Sequence, residues 1–493
     1  MSSPATHYLA CDLGAESGRV MLGTLEAGRV TLQELHRFGS AVVKTGGSMR
    51  WDVLRIFEEL KVGLKQAARL GIPISSVSTD SWGVDYVWVG RDEPFLVVPF
   101  HYRDARNDDA FARVFPKVSS DEIFSRTGIQ FMPFNTLYQL DDDVSRRPWA
   151  IEVSDRFLNI ADYFNALLGG EPAAEESLAS TTQLYDPRTR AWDPVLAARI
   201  GLPERVLPRI VPSATDLGPM DEALARETGL SGVRVVAGCS HDTAAAVAAV
   251  PATGEDWAYL SSGTWSLLGV ENPAPLISPE SQRLGFTNET GLGGSTRFLK
   301  NIIGLWIVQE CRRAWLEAGS QFDYTALVGL AESAPPLRSL IHPNATRFGQ
   351  PGGMPEKIAT FCRETGQPVP SSPGECIRCV LESLALLYRQ TLGDLEQVSG
   401  RRLNRLHIVG GGSKNGLLNQ LTADATGRQV LAGPVEATAL GNVLVQALAL
   451  GRLASGQELR EVVRASCDPV AYEPHDRESW EAAALRFATL PCQ

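Results

Sequence analysis

Tyr8-Leu-Ala-Cys-Asp12-Leu-Gly-Ala-Glu-Ser-Gly-Arg19-Val-Met-Leu-Gly23 sets out an apolar strand, a small polar turn containing glycine, and a second apolar strand. About 250 residues later, Ala258-Tyr-Leu-Ser-Ser262-Gly-Thr-Trp-Ser-Leu-Leu-Gly-Val270 repeats the device. Between and after them, short β-type runs alternate with longer helix-type runs, the pattern of an α/β chain. The clearest helix is predicted from Val53 to Leu70, with Val53, Phe57, Leu60, Leu64 and Ala68 on one face. Asp52 is its expected N-cap and Gly71 its stop. A device used twice at this spacing predicts two lobes of similar fold with a central cleft. Pro251-Ala-Thr-Gly-Glu-Asp256 would be the joint, giving domains 1–248 and 249–493.

The bulk numbers agree with such a chain. Its 493 residues exceed one typical core, and 44% are apolar against 21% charged. A net charge of −11 argues against nucleic acid as a general partner and for small ligands. Residues Met1 to Asp12 have no basic start or sustained apolar run, so no secretory signal is expected. No apolar run approaches the ~18 to 20 residues that span a bilayer, so no membrane partner is expected. Eight scattered cysteines fit reduced thiols in the cytoplasm, and Cys376-Ile-Arg-Cys379 lacks a second zinc-like pair. Nothing demands a protein partner, so a monomer or weak homodimer is expected.

Three turns and one strand end carry the chemistry. In Asp12–Arg19, glycines let backbone N–H groups converge on an anion and Arg19 can grip a phosphate. Asp12 suits Mg²⁺ held through water, although a plain hairpin turn has the same composition. Ser261-Ser-Gly-Thr264 is a second hydroxyl-rich turn. Leu406-His-Ile-Val-Gly410-Gly-Gly412-Ser-Lys-Asn415 feeds a glycine turn into a helix-like run from Leu417 to Thr426. Such a unit brings backbone close to a nucleotide, or makes a tight helix–strand junction; it is not a P-loop. Finally, Ser240-His241-Asp242-Thr243 follows the apolar run Val233–Gly238. Ligands collect outside the carboxyl ends of strands in open α/β sheets, so Asp242 can address a substrate hydroxyl; the alternative is that it caps the Ala-rich helix after it.

Together these stretches suggest ATP-dependent phosphoryl transfer, and the chain resembles the FGGY carbohydrate kinases of the actin-like ATPase superfamily. The resemblance rests on Asp12–Arg19, Thr79-Asp-Ser-Trp-Gly-Val-Asp85-Tyr, Arg126–Gln139, Ser180–Arg188, Gly238–Thr243, Ser261–Leu267, Phe298–Glu310, His407–Ser413 and Gly433–Asn442. It implies two ribonuclease-H-like lobes closing over a ketose and MgATP, with ATP and Mg²⁺ as cofactors. By motif, Asp242 is the base on the sugar hydroxyl, and Gly83, His241, Thr243 and Asn301 are further sugar contacts. Asp12, Gly14, Ala15, Ser17, Gly18, Arg19, Thr264, Gln309, Gly411 and Gly412 match nucleotide positions, with Asp12 on the metal side. The implied reaction is phosphorylation of L-rhamnulose at O1. The rivals are another ketose such as L-fuculose or a xylulose, a non-catalytic sensor on the same scaffold, and an actin-like ATPase acting as polymer or chaperone.

Several residues stay open. Trp82, Tyr86, Trp265 and Trp306 can stack on a sugar or belong to the core. His101-Tyr102-Arg103-Asp104 can face the sugar or cap a loop. Glu16 stands where many superfamily members carry Ser or Thr beside the phosphates, and Ala173-Ala-Glu-Glu-Ser177 departs from the expected Asn-rich sequence. Oxidation of Cys362 with Cys379 is undecided, and Glu458–Ala465 reads as a surface helix without a role.

Overall fold

The computed structural model describes residues 4–492. They form two compact units, each built from three chain segments. The first unit takes residues up to Pro251, then Glu271–Phe298 and Ala437–Cys467; the second takes Ala252–Val270, Leu299–Glu436 and Asp468 onward. The single boundary read at 248/249 lies close to the first of these crossings, and the later two excursions carried no local signal in the sequence.

The first unit is built on β1 (Thr6–Leu13), β2 (Ser17–Glu26), β3 (Arg29–Gly39), β4 (Ile74–Ser81), β5 (Thr215–Pro219) and β6 (Arg234–Ala237). Their order is β5-β6-β4-β1-β2-β3. β1, β2 and β3 form an antiparallel meander, while β4 runs parallel to β1 and β6 parallel to β4. β5 closes the far edge antiparallel to β6. β1 is buried along nearly its whole length, as a central strand covered on both faces must be.

The second sheet uses β7 (Trp257–Ser262), β8 (Trp265–Asn272), β9 (Thr296–Ile303), β10 (Arg405–Val409), β11 (Gln429–Ala432) and β12 (Val470–Tyr472); the end of β8 and the start of β9, up to Phe298, are counted to the first unit and the rest to the second. Their order β9-β8-β7-β10-β11-β12 repeats that of the first sheet, and the strand Thr287–Thr290 adds a seventh beyond β9. β7 and β8 are antiparallel, β10 and β11 continue parallel from β7, and β12 closes antiparallel. The duplicated strand–turn–strand device therefore marks two sheets of one topology, as the sequence predicts.

Helices cover the sheets because each has an apolar stripe to bury. Val53–Ala68 starts where expected, with Asp52 accepting the Arg55 N–H at 3.0 Å, and Gly71 takes a left-handed conformation just past its end. Its fully buried face is Val53, Ile56, Leu60, Leu64 and Ala67; the predicted Phe57 and Ala68 lie at its margin, partly buried. Burying each of the large aliphatic side chains contributes about 1.5–3 kcal/mol. In the second unit Pro373–Ser399, capped by Ser372, buries Ile377, Val380, Leu384 and Tyr388. The helix read near Glu458–Ala465 spans Gly456–Ser466; it buries Leu459, Val462 and Val463, and its Arg460 pairs with Glu271. Among the described residues, no helix is long and apolar enough to cross a membrane.

Candidate active site

In the first unit the carboxyl ends of β1, β4 and β6 present three aspartates. Asp12 sits opposite Asp80 in the parallel register of β1 and β4. Ser81 bridges to His241 where the chain leaves β6, with the Ser81 N–H donating to the Ser240 carbonyl at 2.8 Å. Asp242 then opens the helix Asp242–Ala248. It does not act as the cap: His241 occupies that position, and Asp242 Oδ1 accepts from its neighbour Thr243, from N–H at 2.5 Å and Oγ1 at 3.1 Å. No described residue bonds to Asp242 Oδ2, and the side chain is 32% exposed.

Asp80 is enclosed beneath them. Burial drives its carboxyl well above the usual range, the charges of Asp12 and Asp242 add to this, and a 2.6 Å bond from Asn442 opposes it. Asp80 is thereby biased toward its neutral form. Arg19, across the turn from Asp12, donates to Asp12 Oδ2 rather than pointing away as a free phosphate clamp. In the same turn the Gly14 N–H donates to the Ser17 carbonyl, Gly18 is packed under Phe38, Ala15 is partly buried, and Glu16 is exposed.

His241 is held from several sides. Its N–H donates to Ser177 Oγ at 3.0 Å, and Ser177 donates in turn to Glu175. Glu175, fully buried, also accepts the Ser240 N–H at 3.0 Å, so the unexpected Glu-Glu-Ser stretch anchors the β6 exit. His241 Nδ1 meets Arg297 Nη2 at 3.0 Å, and Nε2 lies 3.5 Å from Asp242 Oδ1. Burial works to raise the Glu289 carboxyl, but the Arg297 guanidinium beside it opposes this and the carboxyl is held low.

Beside Gly83 lies a second enclosed acid. Asp85 Oδ2 accepts from the indoles of Trp51 at 2.6 Å and Trp82 at 3.0 Å and from the Tyr102 N–H at 3.2 Å, while Oδ1 accepts from Gln139 at 3.1 Å. Burial pushes it up to about 6 despite these bonds. Trp82, Trp51, His101 and Tyr102 form a ladder of rings 4.2–4.5 Å apart. Burial pulls His101 down to about 4, so it is neutral at pH 7. Asp104 caps a short helical turn through the Arg106 N–H, which settles its half of the tetrad as loop capping. Tyr86 and Trp306 are buried with their polar atoms bonded to Asp143 and the Phe348 carbonyl, the core role that large aromatics usually take.

The second unit gathers the other candidates at the β7–β8 turn. Gln309 Nε2 donates to Thr264 Oγ1 at 3.1 Å, and the Thr264 carbonyl accepts from the Gly304 and Trp306 N–H groups. Gln309 Oε1 is buried and bonds to no described residue. Gly411 and Gly412 follow β10, ahead of the helix Gly416–Thr426. A Cβ on Gly412 would stand 2.0 Å from Ser262 Oγ, whereas one on Gly411 would meet nothing within 4 Å. Gly412 thus lets the two turns touch, and Gly411 borders open space. Asn301 lies on β9 in this unit, apart in the chain from the His241 group.

The sequence reading passed over Asp80, Glu175, Glu289, Arg297 and Asn442. Asp80 and Asn442 lie inside quoted motifs; an amide within an apolar run was the available signal for Asn442, whereas Asp80 stands among the hydroxyl residues Ser78, Thr79 and Ser81. Glu289 and Arg297 lay outside every motif.

Residues 7–249 match the model of the FGGY family of carbohydrate kinases, N-terminal domain, and residues 258–450 match its C-terminal domain. A Rhamnulokinase of Bacteroides thetaiotaomicron is 42% identical over 481 residues, covering 98% of each chain. A Rhamnulokinase of Enterococcus faecalis is 40% identical, over 96% of this chain and 95% of its own. Among solved structures, ligand-bound xylulose kinase from Lactobacillus acidophilus superposes with a TM-score of 0.82 at 16% identity, over 98% of this chain and 97% of its own.

Proposed function

We infer the reaction from one premise: the chain belongs to the FGGY family of carbohydrate kinases. It is a sugar kinase, and we propose that it transfers the γ-phosphoryl group of ATP to O1 of L-rhamnulose, giving L-rhamnulose 1-phosphate and ADP. The observation that carries the sugar is near-full-length identity of about 40% to proteins named Rhamnulokinase.

The first unit's residues fit the acceptor end. The ketose hydroxyl donates to Asp242 Oδ2, the oxygen to which no described residue bonds, while His241, Thr243 and Gly83 border the sugar. A carboxylate is far too weak to ionise an alcohol beforehand, so Asp242 orients the hydroxyl. It takes the proton as the O1–P bond forms and the bond from phosphorus to the ADP oxygen breaks. ADP leaves with that electron pair, and the proton passes from Asp242 to water. The turn at Thr264, Gln309 and Gly411 is our assignment for the nucleotide, with Gln309 Oε1 an unspent acceptor for a donor on the ligand.

The residues at the β1 and β4 ends fit Mg²⁺ held through water. They are hard oxygen donors, and Asp80 Oδ1 is buried and bonds to no described residue. Mg²⁺ usually keeps several waters and takes only one or two carboxylates, which suits a site without a larger cluster of ligands among the described residues. Asp12 would face that shell, and the ion would supply neutralisation of charge on the phosphates.

The test is ADP release with MgATP against L-rhamnulose, L-fuculose, D-xylulose, L-xylulose and glycerol. The expected result is highest kcat/KM on L-rhamnulose. A clear preference for another ketose overturns the sugar and keeps the kinase reading.

A further inference from the structure

His241 is fixed on the side that faces away from Asp242. Arg297, on β9, is fully enclosed; Glu289 lies on the strand Thr287–Thr290. Arg297 Nη2 stands 3.0 Å from Glu289 Oε2, and its Nε donates to the Thr290 carbonyl at 3.2 Å. The same Nη2 lies 3.0 Å from His241 Nδ1, with Glu289 Oε2 at a longer 3.4 Å.

A guanidinium has only donors and does not lose its proton in proteins. Its contact with Nδ1 therefore requires that nitrogen to present a lone pair. A neutral imidazole then carries its proton on Nε2, and Nε2 faces Asp242 Oδ1. The competing arrangement, an Nδ1–H donated to Glu289, uses the longer contact and sets an N–H against Arg297. The His241 backbone is also held through Ser177, independently of the ion pair.

We propose that Glu289 and Arg297 are positioning residues for the phosphoryl transfer. Arg297, oriented by Glu289, holds His241 as the Nε2–H tautomer. That N–H points at Asp242 Oδ1, which keeps the carboxylate turned so that Oδ2 meets the ketose hydroxyl. The consequence for catalysis rests on the ketose-kinase reading above; the tautomer does not.

The first measurement uses the intact enzyme without substrate. With ¹⁵N-labelled histidine and the His241→Gln variant to assign the signal, Nδ1 should show the shift of an unprotonated nitrogen and Nε2 that of a protonated one at pH 7. An Nδ1–H tautomer, or a doubly protonated ring, overturns the proposal. The second uses turnover. Arg297→Met should lower kcat about 10- to 100-fold, the scale of a misplaced reacting group, and release the tautomer preference. KM for ATP should stay unchanged, with ATP binding reporting a folded protein. Arg297→Lys, which restores a donor, should recover most of kcat and the Nε2–H signal. A folded Arg297→Met enzyme with wild-type kcat or an unaltered tautomer sinks the positioning role. A correct tautomer with no turnover on any ketose would instead overturn the functional reading.

Discussion

Among the described residues, one oxygen of Asp242 takes both hydrogen bonds given to that side chain, and the other takes none. Asp242→Asn replaces one carboxylate oxygen with an NH₂ that cannot accept a proton. Turnover is expected to fall by about 10²- to 10⁴-fold, the usual contribution of a positioned base, while ATP binding by calorimetry is retained. Asp85 supports a prediction of a different kind. Its folded carboxyl titrates near 6, above the ordinary value of about 3.9. The native state therefore keeps a proton that the unfolded chain releases, so this group's contribution to stability declines as pH rises from about 4 to 6 and is level beyond. A shift of this size corresponds to about 3 kcal/mol. Because the Trp51 and Trp82 indoles donate to it, tryptophan emission should change with an apparent pKa near 6, and Asp85→Asn should remove that transition. Single residues were unevenly legible. Asp242 announced itself by standing at a strand exit. Asp85 lay within a recognised motif, but the burial that raises it, and the Trp51 and Gln139 bonds that oppose the rise, come from distant parts of the chain.

At the level of elements, glycines mark where two backbones meet. A Cβ on Gly441, in the helix Ala437–Ala449, would lie 1.8 Å from the Ala245 carbonyl oxygen in the helix that Asp242 opens. Gly441→Ala must separate those helices, so we expect a loss of about 1–3 kcal/mol by chemical denaturation, with kcat falling more than the ATP affinity. Gly412→Ala and Gly411→Ala form a matched pair at the β10 turn. The first collides with Ser262 and should lower both thermal stability and ATP affinity; the second has room and should leave the melting temperature unchanged. Weaker ATP binding by Gly411→Ala would then report the ligand itself, and unchanged binding would remove Gly411 from the nucleotide site. Strand–turn–strand units and the Val53–Ala68 helix were readable because their signals are local: alternation, caps and a glycine stop. The motif ending at Asn442 was recognisable as a string, yet its work was not. Asn442 meets Asp80 across 362 residues of chain, and no local pattern encodes such a partner.

The two large sheets share a strand order, yet the chain enters each unit three times. Residues 1–251 alone lack Glu289, Arg297, Gly441 and Asn442, all of which belong to the first unit. Expressed as a fragment, that segment should show no cooperative unfolding transition, whereas the full chain should; a cooperative fragment would mean the returning segments are dispensable. Repetition of the strand device gave away the duplication, while the return of 271–298 and 437–467 depends on contacts made only in three dimensions. That interlacing has a consequence in time. On a ribosome adding roughly 5–20 residues per second, Asp80 is synthesised about 20–70 s before the Asn442 that caps it. For most of a round of synthesis the nascent first sheet carries a buried-site acid with no amide to meet it. Its completion is thus deferred almost to the end of the message.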